Sequence, residues 1–356
     1  MLLSSRTTMN TTNSPSAGPS SLRPSKPTPK SDSHRRLTEK GKGIGKPWVD
    51  GPWPLIETPS RTQHLTTASL HIANELAQAH NAMLRGLNAI TLQAPHIQTA
   101  SDDDITDFLF LTQAWSAWVL DHHVLKETVM IPGFEAALRL QTGSLRTPTT
   151  SSCSSDGSES ESGDSGVGTR EERHAEDIPV FLQDVHAYAT STMSRPESYS
   201  AATLQALLAA LGSSLVPHLH DQIPILARMQ DLRSPFPSSS PLSSNSISIS
   251  TPSSSSSSLP LSPAQAAAYA SRANKLTQTH VSCETALADR ADRFVVPPMV
   301  TRLRDVTYEG GNGGTWPRLS VPALHAVADR LSPRHAGAWR FLPCDVWGRP
   351  RELGFV

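Results

Sequence analysis

The chain of 356 residues carries a net charge of −1, so neither a nucleic-acid backbone nor an anionic membrane surface is its expected partner. Aromatics make up 5% and hydrophobics 37%, with 29 prolines and 20 glycines, so the folded body should fall well short of the full length. Three cysteines, Cys153, Cys283 and Cys344, form neither a disulfide framework nor a zinc spacing, which points to an intracellular, cytoplasmic protein.

Residues 1–46 are rich in Ser, Pro, Lys and Arg, with Asp32 and Glu39 their only acids. They read as a disordered basic arm, with mitochondrial targeting as the alternative that its prolines disfavour. No apolar run of about 18 residues and no signal-peptide core is apparent. "KPWVDGPWPLIETPS" is an extended lead-in. Residues 66–91 carry a helical period, with Thr66 or Thr67 as the cap and "APH" as the stop. A second helix starts at Ser101, whose following acids suit a helix N-terminus, and runs to about Met130, where Pro132–Gly133 should end it.

Residues 141–173, with "SSCSSDGSESESGDSG", read as a disordered insertion. A third helix follows in "DIPVFLQDVHAYA" and a fourth in "SAATLQALLAALGSSLVPHLHDQIPILARMQ". A second serine tract occupies about 232–261. The next helix opens at "SPAQ", with Ser262 as cap, Pro263 in the first turn and Gln265 closing a capping box, and continues to about Arg293. A Gly-, Pro- and Trp-rich extension from residue 295 completes the chain, with one helical segment around "VPALHAVADRL". Period-2 patterning is nearly absent, so the expected class is all-α, with a bundle over 47–294 and the extension of 295–356 packed on it.

Histidines interrupt the apolar stripes of these helices. His80 lies on the stripe of Ala73, Leu76, Leu84 and Leu87. His218, followed by Gln222, lies on that of Leu204, Leu208, Leu211, Leu215 and Ile225. His174 aligns with Ile178, Phe181, Val185 and Tyr188. In "DHHVLKETVMIP", His123 and Glu127 are one turn apart on the face of Thr112, Ser116, Val119 and Met130. The adjacent His122 shares a stripe with Leu111, Trp115, Trp118 and Leu125, so either histidine can face inward. Four helices that each point a polar group inward match a metal site inside an antiparallel four-helix bundle. Imidazoles with a carboxylate suit iron or zinc rather than calcium or magnesium. His64, His71, His96, His186, His220, His280, His325 and His335 read as ordinary core or surface histidines.

"HIANELAQAHNAMLRGLNAITLQAPHI", "AWVLDHHVLKETVMIPGFE" and "LVPHLHDQIPIL" resemble the hemerythrin-like (HHE cation-binding) domain family, particularly its fungal members. The tail "DVTYEGGNGGTWP…WRFLPCDVWGRPREL" is similar to the C-terminal extension of those fungal proteins. The resemblance spans roughly 47–140, 174–231 and 263–356. It implies a four-helix bundle holding a non-haem di-iron centre, with histidines and bridging carboxylates as ligands. Reversible oxygen binding, nitric oxide or oxygen sensing, and iron or redox handling are the activities it implies.

The metal ligands it implies here are His80, His123, Glu127, His174 and His218. The chain departs from the family at Gln222, where a carboxylate would bridge two ions, and at Lys126, where the family often has an acid. Asp221 sits about 100° away around the helix. His174 precedes Pro179, which suits a helix first turn, so Glu176 is an alternative to it there.

"EERH" provides one Glu-x-x-His where a ferritin-like site needs two, and "GGNGG" lacks the strand–helix context of a phosphate loop. No catalytic residues are assigned, because ligands alone do not specify turnover. The expected function is iron binding with a small ligand such as oxygen. A bundle that has lost the diiron centre and serves as a scaffold is the competing expectation. A zinc hydrolase lacks a visible general base.

Overall fold

The computed structural model describes residues 49–146, 177–229 and 262–356. The basic arm, most of the first serine tract, the second tract, and both His174 and Glu176 lie outside the described residues. The class is all-α. Among the described residues only an isolated bridge between Cys344 and Pro350 has extended pairing.

The elements are α1 (Pro59–Thr62), α2 (Ala68–Ile97), α3 (Asp102–Leu125), a π-turn (Lys126–Met130), α4 (Ile131–Leu138), α5 (Ile178–Met193) and α6 (Ala201–Arg228). They continue with α7 (Pro263–Arg290), α8 (Val296–Leu303), α9 (Val321–Ala326) and α10 (Ala336–Trp339), joined by short 3-10 and π segments. Side-chain caps open the long helices. Thr67 accepts from the Leu70 amide, Ser101 from Asp104, Ser200 from Thr203, and Ser262 with Gln265 forms a full capping box.

Helix α2 packs along α6 and α3 along α5, while α5 also meets α6 and α2 meets α3. Helix α7 lies against α2, α3 and α4, and α8 lies against α2 and α3. From Leu76 to Ile90 every residue of α2 is buried, which marks it as the central helix. Gly86 is dictated by this packing, because a Cβ there would run into the indole of Trp115, whose Nε1 donates to Met83 O at 3.1 Å.

Three asparagines, Asn74, Asn81 and Asn88, recur every seven residues on α2 and fasten the N-terminal lead-in. The Asn88 amide donates to Val49 O and Trp53 O and accepts from Trp53 N. Asn81 donates to Ile56 O at 2.8 Å and accepts from Ile56 N at 2.7 Å, and Asn74 accepts from Ser60 N. The lead-in thus gains backbone partners without joining a sheet. The C-terminal extension docks on the same helix. Arg85 donates to Leu303 O and lies over the Tyr308 ring, and Gln93 donates to Phe341 O.

Three boundaries differ from the sequence expectation. Helix α2 passes through Pro95 and ends at Ile97, because a proline in the last turn removes a single helical bond. Pro132 does not stop the second helix. The π-turn immediately before it interrupts the α-helical ladder, and Pro132 then sits in the first turn of α4, where no donor is needed. The first insertion starts later than 141, since Leu145 is buried and its amide donates to Glu135 Oε1 at 2.9 Å. Helix α6 is long and apolar enough to cross a membrane by length and composition, although half of its most apolar window is buried against other helices.

Candidate metal site

The π-turn at Lys126–Met130 sets the site. Lys126 follows His122, and Glu127 follows His123, by one helical turn, and the Lys126 side chain is 1% exposed and that of Glu127 21%. Single π-turns inside helices are frequent at functional sites. Across from it, Pro217 and Pro224 lie within α6 on either side of His218 and Gln222, both of which are buried.

One ligand-capable atom from each of His123, Glu127 and His218 falls within 4.8 Å of the others. The His123 and His218 rings meet edge to face at 5.1 Å, and His218 Nε2 lies 3.5 Å from Glu127 Oε1. Gln222 Nε2 donates to the same carboxylate oxygen at 3.4 Å. Lys126 Nζ lies 3.1 Å from His218 Nε2 and 3.8 Å from Glu127 Oε1. An ammonium only donates, so Nε2 of His218 is the acceptor and its proton resides on Nδ1, which has no partner. His123 Nδ1 and Gln222 Oε1 are likewise buried without partners.

His80 is fully buried but stands outside this trio. Its Nδ1 pairs with Leu219 O at 3.0 Å, its Nε2 is unpartnered, and its ring meets His122 edge to face at 5.7 Å. Both members of the His122–His123 pair are therefore inside, on different faces. Helix α5 brings buried Ile178, Leu182, Val185, Ala189 and Thr192 to the core and no titratable group. Sequence reasoning did not place Lys126 inward, while His280, read as an ordinary core or surface histidine, is buried with its Nδ1 3.7 Å from Glu75 Oε2. The signal for His280 was its spacing from buried Leu276 and Cys283 on α7.

The electrostatics favour ligand-ready protonation states. Burial, then the Lys126 charge, holds His123 down to about 3 and lowers His218. The same two causes lower His80 and His122 well below the ordinary imidazole range. Burial pushes the Glu127 carboxyl up, but the close approach of His218 and the Lys126 charge outweigh it and hold Glu127 at about 2. Burial draws Lys126 down to about 8 against the opposing pull of Glu127. At neutral pH the imidazoles are therefore neutral and the carboxylate charged, the protonation states a metal ion needs.

Two imidazoles and one carboxylate are the donor set that non-haem ferrous centres use, and zinc accepts it as well. The chain is thus a helical protein with a buried group of metal-ligand type. Comparison with family models gives no match, and no solved structure matches. A curated relative, "Dimeric xanthone biosynthesis cluster protein R11" from Cryptosporiopsis sp. (strain 8999), is 24% identical over 316 residues. The alignment covers 88% of this chain and 95% of that protein.

Proposed function

We propose that this chain is a non-haem iron protein of hemerythrin-like architecture. In this reading α2, α3, α5 and α6 form an antiparallel four-helix bundle, and His123, Glu127 and His218 hold one ferrous ion. The observation that carries it is the approach of these ligand atoms to within 4.8 Å in a buried setting. A bound ferrous ion would supply an open coordination position for a small ligand such as oxygen. The chain's own residues hold the ligands in place. Gln222 orients the Glu127 carboxylate by an N–H donor, and burial keeps the imidazoles neutral.

Lys126 distinguishes this centre from a symmetric pair of ions. Its ammonium places a fixed positive charge beside Glu127, and Gln222 offers an amide where a bridge would need a carboxylate. Both features favour one ion over two. His218 must exchange its Lys126 contact for the metal on loading. The name of the relative mentions only dimeric xanthone biosynthesis, and in such a setting an iron centre of this chain would handle oxygen or redox equivalents.

The scaffold reading is favoured by the same lysine, because Lys126 already satisfies Glu127 and His218 without metal. Anaerobic reconstitution with ferrous ion, followed by metal analysis, separates the two readings. Iron retained through desalting supports the centre. A chain that retains none, with unaltered melting, supports the scaffold.

A further inference from the structure

A cavity of about 400 Å³ lies beside the histidine cluster, between α2, α3, α7, α8 and the Trp316–Arg318 segment. Its volume is that of a small-molecule site. Trp118 and Trp316, both half-buried, give it two aromatic walls, and aliphatic side chains of α2, α7 and α8 supply most of the rest. His122 lines it too, next in sequence to the proposed ligand His123 and edge-on to His80. The cavity therefore ends against the cluster.

Its polar groups define the ligand's chemistry. Glu75 and Glu284 offer acceptor oxygens, and His71, His122 and His280 add imidazoles to the lining. Glu75 is ion-paired with Arg318 at the rim and faces His280 Nδ1, so the one permanent cation on the wall is already paired. Burial raises the Glu284 carboxyl above its ordinary range, so that group does not favour a fixed charge either. A charged guest would surrender its hydration for little return. A flat guest carrying hydroxyls would stack on indole and donate to carboxylate.

We infer that this cavity is a binding site for a neutral, hydroxylated, planar aromatic molecule of two or three fused rings, seated next to the His122–His123 pair. The inference deepens the proposed function by naming a ligand class, and rests on that reading only in setting the guest beside iron.

The test is calorimetric titration of the full-length protein with three probes of one ring size: a naphthalenediol with its hydroxyls on opposite rings, naphthalenesulfonate and naphthylmethylammonium. Such a diol cannot chelate iron, so its binding reports the cavity alone. Saturable binding at one site is expected, with the diol bound roughly tenfold more tightly than either charged probe. Ala288→Trp, which fills the cavity from a half-buried position, and Trp316→Ala, which removes a wall, should each weaken the diol by about tenfold. Circular dichroism verifies that each variant folds, and either folded variant suffices. No saturable diol binding, undiminished binding in a folded variant, or tighter binding of a charged probe would overturn the inference. Running the titration on chelator-stripped protein separates the two readings. Diol binding by a chain unable to take up iron leaves this site and removes the iron centre. Iron uptake without diol binding does the reverse.

Discussion

The ammonium of Lys126 lies 3.1 Å from Nε2 of His218, inside the protein, on the lone pair that a metal ion would need. Lysine is almost never fully buried unless paired, and here its partners are an imidazole and the Glu127 carboxylate. The amine therefore competes with metal for His218 and Glu127. Lys126→Met, which keeps the bulk and removes the charge, should tighten ferrous binding by roughly tenfold, the worth of one charged hydrogen bond. Competition with a colorimetric chelator measures it. Unchanged or weaker affinity in the variant would show that Lys126 supports the site rather than competing for it.

Acid should destabilise the metal-free protein early. His80, His122, His123 and His218 all have folded pKa values below the ordinary imidazole range, chiefly through burial. Below about pH 6.5 the unfolded chain therefore binds more protons than the folded one, and linkage makes stability fall as pH drops. Glu127, held at about 2, adds a further loss between its unfolded value of 4.5 and that point. Urea midpoints should decline from pH 7 to pH 5, and His80→Phe should flatten the slope. A midpoint independent of pH over that interval would mean these imidazoles are hydrated.

The asparagine ladder predicts a local stability effect. Asn88→Ala strands the amide and carbonyl of Trp53 and the carbonyl of Val49, since one side chain serves all three. The expected cost is about 2–4 kcal/mol, with faster hydrogen exchange concentrated in residues 49–56. Exchange that rises uniformly instead would indicate a global role for Asn88.

Much of the fold was legible because helix signals are local. The caps at Thr67, Ser101 and Ser262 and the Pro179 first turn follow from side-chain chemistry within a few residues. The helical period put His218 on an inward stripe but left His122 and His123 as alternatives, and both are buried. What the period could not convey was the π-turn. It interrupts the 3.6-residue repeat between Lys126 and Met130, so the ladder is already broken when the chain reaches Pro132. The assumption of a regular helix led to a stop at Pro132. That His280 faces Glu75, about two hundred residues earlier, is a proximity no local pattern reports. The heptad spacing of Asn74, Asn81 and Asn88 acquires meaning only when the lead-in lies alongside.

The most direct measurement of the central claim is the iron content of protein reconstituted anaerobically with ferrous ion and desalted, for the wild type beside His123→Ala and Gln222→Glu. The account predicts about one ion per chain in the wild type, most of it lost in His123→Ala, and tighter or additional iron in Gln222→Glu, where a second carboxylate joins Glu127. A wild type and Gln222→Glu variant that both stay free of iron, with melting temperatures indifferent to added ferrous ion, would contradict it.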